Sequence, residues 1–568
     1  MKESLPSWVT RAALKKANTL DKIRPEWRLS PHDLARAKQQ RDLTGPFIQK
    51  FLSVDEISII EKDSVQLVRD IREASLTAVQ VTNAFCKTAA IAHQINNCLH
   101  EIFFDEALER AAWLDAQFAD KQLPIGPLHG LPISLKDQFH VKGVDTTMGY
   151  IGWISSNLGI SDSQQVHKVE SQIVTELLSL GAVLYCKTSL PQTLLFGETR
   201  NNLIGETLNP YNRNLSCGGS SGGEGALQAL RGSNLGLGTD IGGSVRIPAA
   251  FNGTYSLKPT PERLSYRCVA NSNPGQNTYR STVGIMSTSL GGLDLLLRSN
   301  LSTEPWLRDP AVVPIPFRDE ISKQHEMRAN SDGTANGKMP LKLGVLWTDG
   351  AVQPHPPITR GLKIVVEAMR SAGHKTVDWN PPDQTIGRGT HWQFLMADGA
   401  HDIRRLTDVD EQLALSGEPL IPDLQQSFKL RKPMDLLKYQ DLTQDGQIVD
   451  AVIMPVAPHA AVIPGKYYHV AYTEVINLLN YSAVVIPVTK ADKEIDVVDD
   501  SYCPSGDLDQ MNWDAYDPET YDGAPVGVQI VARKFEEEKV LSIAKIIVAA
   551  MKTRRLKVVG ASASTGRS

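Results

Sequence analysis

Two serines set among glycines are the residues of this chain best suited to chemistry. The stretch from Ser216 to Ser244, SCGGSSGGEGALQALRGSNLGLGTDIGGS, contains ten glycines. Glycine loses more backbone freedom on ordering than any other residue, so this density implies tight turns and close backbone approach to a ligand. Phosphate is one candidate, but a phosphate loop needs Gly-Lys-Ser/Thr at the start of a helix, and neither GGSSGGEG nor DIGGSVRIP supplies the lysine. The run Gly236 to Gly242 has the wrong spacing for a dinucleotide fingerprint, and Pro248 interrupts the helix that should follow. A developing oxyanion fits better. Gly-Gly before Ser lets consecutive backbone N–H groups point into one concavity, and Ser244 then stands beside it as candidate nucleophile.

A serine hydroxyl is weak at neutral pH and needs a base. Of the 13 histidines, His129, His140 and His167 flank the region without a glycine-rich or carboxylate context and are read as structural or solvated. Lys136 is the better candidate. In LPISLKDQF, Leu131, Ile133 and Leu135 alternate with Pro132, Ser134 and Lys136, the period of a half-buried strand. A lysine desolvated on such a strand has its pKa pushed down, which makes the neutral amine available as a proton acceptor. Taken alone it would more often be a snorkelling or salt-bridged side chain. Cys217 precedes Ser220 closely but lacks a histidine partner, and Lys187 lacks a serine partner in a glycine-rich setting, so both are read as structural.

The blocks LPISLKDQF, CGGSSGGEGAL, GLGTDIGGSVRIPAAFNGTYSLKPT and GAPVGVQIVARKFEEEKVL resemble, in order and spacing, the signature of the amidase signature family of serine hydrolases. The likeness runs from about Ser64 to about Ala549, and SLKDQ, TMGY, PQTL, HPPI, SGEP and INLLNYSAVVIPVT are in the style of its fungal acetamidase-like branch. The resemblance implies that Ser244 is the nucleophile, Lys136 the base, and Ser220 a relay between them on a cis peptide bond, with Ser221 the weaker choice. It further implies an oxyanion hole from the N–H groups of Ile241, Gly242, Gly243 and Ser244, braced by Asp240 and Arg246. The implied reaction cleaves a small-molecule carboxamide to a carboxylate and ammonia, with no cofactor. No HExxH, CxxC or paired-histidine spacing suggests a metal. The implied fold is α/β, one large unit with a mixed central sheet flanked by helices on both sides.

The elements that must position these residues are partly visible. SVDE at Ser53 to Glu56 and TAVQ at Thr77 to Gln80 have capping-box spacing, the second opening a helix that carries Val79, Phe85 and Ala89. VHKVESQIVTELLSLGAVLYCKT reads as helix, Gly181 stop and strand, and KLGVLWTDG, the helix around Ile364 to Met369, and HKTVDW as another strand, helix and strand. The expected organisation is an N-terminal helical arm over 1–60, the enzyme domain over 61–555 with its core at about 125–300, and a disordered tail over 556–568. Met148, Gln192, Thr193, Leu194 and the stretch from Trp392 to Tyr439 are candidate pocket residues. The segment between Met434 and Asp450 is shorter than in relatives, as though a helix were missing, and Ile285 stands where relatives usually place proline.

Composition bounds the rest. A chain of 568 residues with 41% hydrophobic residues can bury a large core, and a formal net charge of −5 leaves no basic field for nucleic acid. Six cysteines form no disulfide framework and suit a reducing compartment, so the cytoplasm is the expected location. No run of about eighteen apolar residues suggests a membrane span. A homodimer is left open. So are a catalytically altered amidase-like pathway protein, a subunit that amidates charged tRNA, and a hydrolase of esters or specialised-metabolite amides.

Overall fold

In the computed structural model the described residues are 8–156, 167–273, 276, 280–330, 340–379, 384–401 and 449–565. The N-terminal segment folds into helices α1 (Trp8–Asp21), α2 (Pro31–Gln39) and α3 (Val54–Ile60) ahead of α4 (Ala78–Asn96). Two of these starts are encoded locally, as the spacing predicts. The Ser53 hydroxyl accepts the Glu56 N–H while the Glu56 carboxylate accepts the Ser53 N–H, and Thr77 and Gln80 make the same reciprocal pair. The N-terminal helices are joined to the main body: Ile23, Ala37, Ile48 and Ile60 belong to the same apolar core as Phe85 and Leu135.

Eleven strands form one sheet. In chain order they are β1 (Leu99–Ile102), β2 (Pro132–Lys136), β3 (Val183–Thr188), β4 (Leu235–Asp240), β5 (Tyr255–Lys258), β6 (Thr282–Ser287), β7 (Lys342–Val345), β8 (Lys375–Asp378), β9 (Ala451–Pro455), β10 (Ser482–Lys490) and β11 (Pro525–Ala532). Across the sheet the order is β1-β3-β2-β4-β6-β5-β10-β11-β9-β7-β8. β2 runs parallel to β3 and β4, and β9 to β7 and β7 to β8, while the pairs from β4 through β6, β5, β10 and β11 to β9 are antiparallel. This is the mixed sheet expected, with helices on both sides.

The predicted helix-strand runs are present. Helix α5 (Gln172–Ser179) stops at Gly181, which has φ +91°, and leads into β3. Helices α6 (Gly222–Ala229) and α7 (Arg246–Phe251) flank β4, and α8 (Pro356–Ser371) connects β7 to its parallel neighbour β8. They are followed by α9 (Gln384–Leu395), α10 (Ala471–Leu478) and α11 (Glu537–Thr565).

Two details differ from the sequence reading. β2 is buried on both faces rather than one, because helices such as α4 and α6 pack over this parallel part of the sheet. Helix α11 continues to Thr565, through most of the stretch expected to be a disordered tail. Extending a helix that is already nucleated fixes one residue per added hydrogen bond, so small residues suffice. No helix among the described residues is long and apolar enough to cross a membrane.

Candidate active site

Adjacent parallel strands β2 and β4 deliver the site. Ser134 and Leu135 are in register with Gly236 and Leu237, so Lys136 and the pair Thr239 and Asp240 emerge at the same carboxyl end of the sheet. The loop that enters α6 brings Ser220 to this end, and the loop between β4 and α7 carries Ser244.

The Lys136 Nζ donates to Ser220 Oγ at 2.6 Å and to Thr239 Oγ1 at 2.9 Å. Thr239 Oγ1 in turn donates to Gln138 Oε1 at 2.5 Å. Lys136 is fully buried, and the loss of water pushes its pKa from 10.5 down to about 7, against the opposing pull of Asp240. A neutral amine is therefore populated near neutral pH. The peptide between Gly219 and Ser220 is cis. Glycine is required at 219 because a Cβ there would stand 2.6 Å from Phe196 O and 2.8 Å from Glu198 N and O, all backbone atoms. Ser221 gives its N–H to the Ser244 carbonyl at 3.0 Å, tying the two serine loops together, while its hydroxyl lies 3.5 Å from Thr239 O.

The loop that follows β4 is braced from behind. Asp240 and Arg246 are both fully buried, so the weak surface pair that they could have formed is not what the fold contains. Arg246 Nε donates to Asp240 Oδ2 at 3.0 Å and its terminal nitrogen to Oδ1 at 2.9 Å; other donors reach Gln529 Oε1 at 3.0 Å and Thr473 O at 3.1 Å. Burial alone would raise the Asp240 pKa, but the guanidinium outweighs it and holds the carboxyl at about 2. Asp240 also accepts the Gly243 N–H at 2.9 Å and the Val245 N–H at 3.2 Å. This corrects one expectation: the Gly243 N–H is spent on Asp240, because that carboxylate sits behind the loop. Gly243 has φ +125°, and a Cβ would stand 2.5 Å from Thr473 Oγ1.

Ser244 lines a cleft of about 580 Å³ with Gly219, Ile241 and Gly242. Of the candidate pocket residues, Leu194, Trp392, Gln393 and Leu395 line it. Met148 instead packs with Tyr150, Trp153 and Leu190, and the Gln192 N–H pairs with Arg200 O at 3.0 Å; neither they nor Thr193 line this cleft. The part of the pocket stretch over 402–439, and the shortened segment up to residue 448, lie outside the described residues. Ile285 sits fully buried within β6.

The residues read as structural are placed accordingly. Cys217 is buried, its thiol pushed up by burial and bonded to Thr207 O at 3.0 Å. Lys187 pairs with Asp137 at 3.0 Å. His129 Nδ1 accepts the Ile125 N–H at 3.1 Å, burial pushes His140 down to about 4, and His167 Nε2 lies 3.0 Å from Asp145. Two other buried groups titrate near neutrality: burial raises Glu224 to about 7 and lowers Lys258 to about 7. Their bonds go elsewhere, Glu224 accepting from Thr188 Oγ1 at 3.0 Å and Lys258 donating to Tyr481 O at 2.7 Å.

Sequence reasoning missed Phe196, His391, Tyr467 and Glu474 in the cleft wall. They lie up to 230 residues from Ser244 (474 less 244). The one local signal was Glu474, an ionisable residue in the otherwise uncharged helix AYTEVINL.

The chain matches the family described as Amidase over residues 80–433 and 422–541. It is 41% identical to an acetamidase of Emericella nidulans over 559 residues, 95% of this chain and 97% of that protein. It is 38% identical to Amidase 1 of Gibberella moniliformis over 86% of this chain and 92% of the relative. A solved fatty acid amide hydrolase superposes with a TM-score of 0.84 at 29% identity, covering 96% of this chain and 95% of that one. A bacterial aryl acylamidase shares the fold, with a TM-score of 0.63 at 18% identity over 86% of this chain and 96% of that one. Family match, relatives and fold agree with one another: the chain belongs to the amidase family, and it is an amide-hydrolysing enzyme.

Proposed function

We propose that the chain cleaves a carboxamide to a carboxylate and ammonia through Ser244, Ser220 and Lys136, by way of an acyl-enzyme. One observation carries the reading: a fully buried lysine, lowered to about 7, whose Nζ lies 2.6 Å from the hydroxyl of Ser220, the neighbour of a serine, Ser221, whose N–H is bonded to the Ser244 carbonyl. Neutral Lys136 takes the Ser220 proton as Ser220 takes that of Ser244, and the Ser244 oxygen attacks the amide carbonyl. The N–H groups of Ile241, Gly242 and Ser244 face the charge that develops on the carbonyl oxygen, and each such donor supports about 3 to 4 kcal/mol of barrier lowering. The tetrahedral intermediate collapses as the proton held by Lys136 returns through Ser220 to the departing nitrogen, so that neutral ammonia leaves. Water then attacks the ester with Lys136 again as acceptor, and the carboxylic acid is released.

The acetamidase relative favours a short acyl group. A cleft of about 580 Å³ walled by Leu194, Phe196, Ile247 and Leu395 favours longer ones as well. Ammonia release is to be measured over primary amides of increasing acyl length, with Ser244→Ala as the blank. Fluorophosphonate labelling followed by mass spectrometry should place the adduct on Ser244. An adduct on Ser220 or Cys217, or activity that survives Ser244→Ala, refutes the assignment.

A further inference from the structure

The wall of the cleft includes two polar side chains that the mechanism does not use. Glu474, on α10, is only 4% exposed, yet its Oε2 has no hydrogen-bond partner. Tyr467 also lines the cleft, and its buried Oη has none either. The two are close enough that the Glu474 charge, together with Glu198, raises the Tyr467 phenol after burial has done so. A buried polar atom without a partner is costly, and an unpaired carboxylate more so. Both residues line the cleft, so a group that enters it meets an acidic side chain.

The surroundings define what that is. Glu474 stands over the oxyanion loop: a Cβ on Gly242 would lie 3.8 Å from Glu474 Cγ and 3.6 Å from His391 Cε1. His391 Nε2 donates to Ile241 O at 2.9 Å, and its Nδ1 lies 3.5 Å from Glu474 Oε1 without a hydrogen bond between them. The neighbouring Thr473 hydroxyl is committed to Gly242 O at 2.6 Å. Arg246, the nearest guanidinium on the loop, is held by Asp240. Among the described residues that line the cleft there is no Lys or Arg. The wall is therefore an acceptor with excess negative character, placed beside the reacting carbonyl, where a further negative charge would oppose the developing oxyanion.

We propose that Glu474, with Tyr467, recognises an ammonium group on the acyl portion of the substrate, so that the preferred amides are amino-substituted aliphatic carboxamides. The cation would donate to the Glu474 carboxylate, and by neutralising it would remove a charge that works against the transition state. This rests on the hydrolytic reading of the same cleft.

The test compares isosteric pairs that differ by NH₃⁺ for CH₃: glycinamide with propionamide, 3-aminopropanamide with butyramide, and 4-aminobutanamide with valeramide. Dissociation constants are measured by titration calorimetry on Ser244→Ala protein, and kcat/KM by ammonia release on the unsubstituted enzyme. In at least one pair the cationic member should bind on the order of 10- to 100-fold more tightly, the range of a hydrogen bond to a charged group. Glu474→Gln, which keeps the shape and removes the charge, should abolish that preference, and Glu474→Asp should restore part of it. Equal binding within every pair, preference for the neutral member, or a cation preference that survives Glu474→Gln overturns the proposal. A binding preference removed by Glu474→Gln, without ammonia release from any amide, upholds Glu474 and refutes the hydrolytic reading instead.

Discussion

Replacing Lys136 by methionine should stabilise the protein at neutral pH while abolishing its activity, and the pH dependence of that gain isolates the buried amine. The lysine titrates at about 7 in the folded chain against 10.5 when free. At about 1.4 kcal/mol per unit, this corresponds to a cost of up to about 5 kcal/mol. The sign follows from proton counting. Below pH 7 both states hold the proton, and the full cost of a buried ammonium is present. Between pH 7 and 10.5 the unfolded chain still holds it and the folded chain does not, so wild-type stability rises with pH. Above 10.5 the cost is gone. Methionine has similar length and no charge, but it forfeits the bonds to Ser220 Oγ and Thr239 Oγ1, worth about 1 kcal/mol each. Lys136→Met should therefore be more stable than wild type by about 3 kcal/mol at pH 6, and less stable by about 2 kcal/mol near pH 10.5, crossing over near pH 9. Urea unfolding of both proteins from pH 6 to 10 reads this difference directly. Glu224 and Lys258 titrate in both proteins and cancel. A stability difference that stays flat across this range would refute a neutral, desolvated Lys136.

The same group should govern catalysis: kcat/KM should fall about tenfold per unit below pH 7 as Lys136 is protonated. That limb should persist in Glu224→Gln, and its disappearance there would assign it to the carboxyl. Arg246→Met strands the buried Asp240 carboxylate and should cost about 3 to 5 kcal/mol in denaturant unfolding, whereas Arg246→Met combined with Asp240→Asn should cost distinctly less; additive losses would deny the pairing. Gly219→Ala drives a Cβ into backbone atoms of Phe196 and Glu198, so about 1 to 3 kcal/mol of stability and most fluorophosphonate labelling should be lost; labelling at the wild-type rate would show that the loop has room.

The strand reading of β2 placed Lys136 on an apolar element, and the glycine-rich run marked the loops around Ser220 and Ser244, because alternation and turn chemistry act over a few residues. The capping boxes at Ser53 and Thr77 were legible for the same reason, each being a contact across three residues. Three things were decided only by the tertiary fold. Lys136 reaches a pKa of about 7 because β3, β4 and their covering helices exclude water from both faces of β2, whereas alternation indicated a single buried face. The Gly243 N–H turns to Asp240 because Arg246, held by Gln529 and Thr473 from the far half of the chain, fixes that carboxylate behind the loop. Glu474 and Tyr467 line the same cleft as Ser244 only because β10 and β11 carry the C-terminal half back against β5, a pairing of distant segments on which local residue patterns carry no information. Residue types and short spacings thus determined what chemistry this protein could perform, while long-range packing determined the protonation of Lys136 and the character of the cleft wall around Ser244.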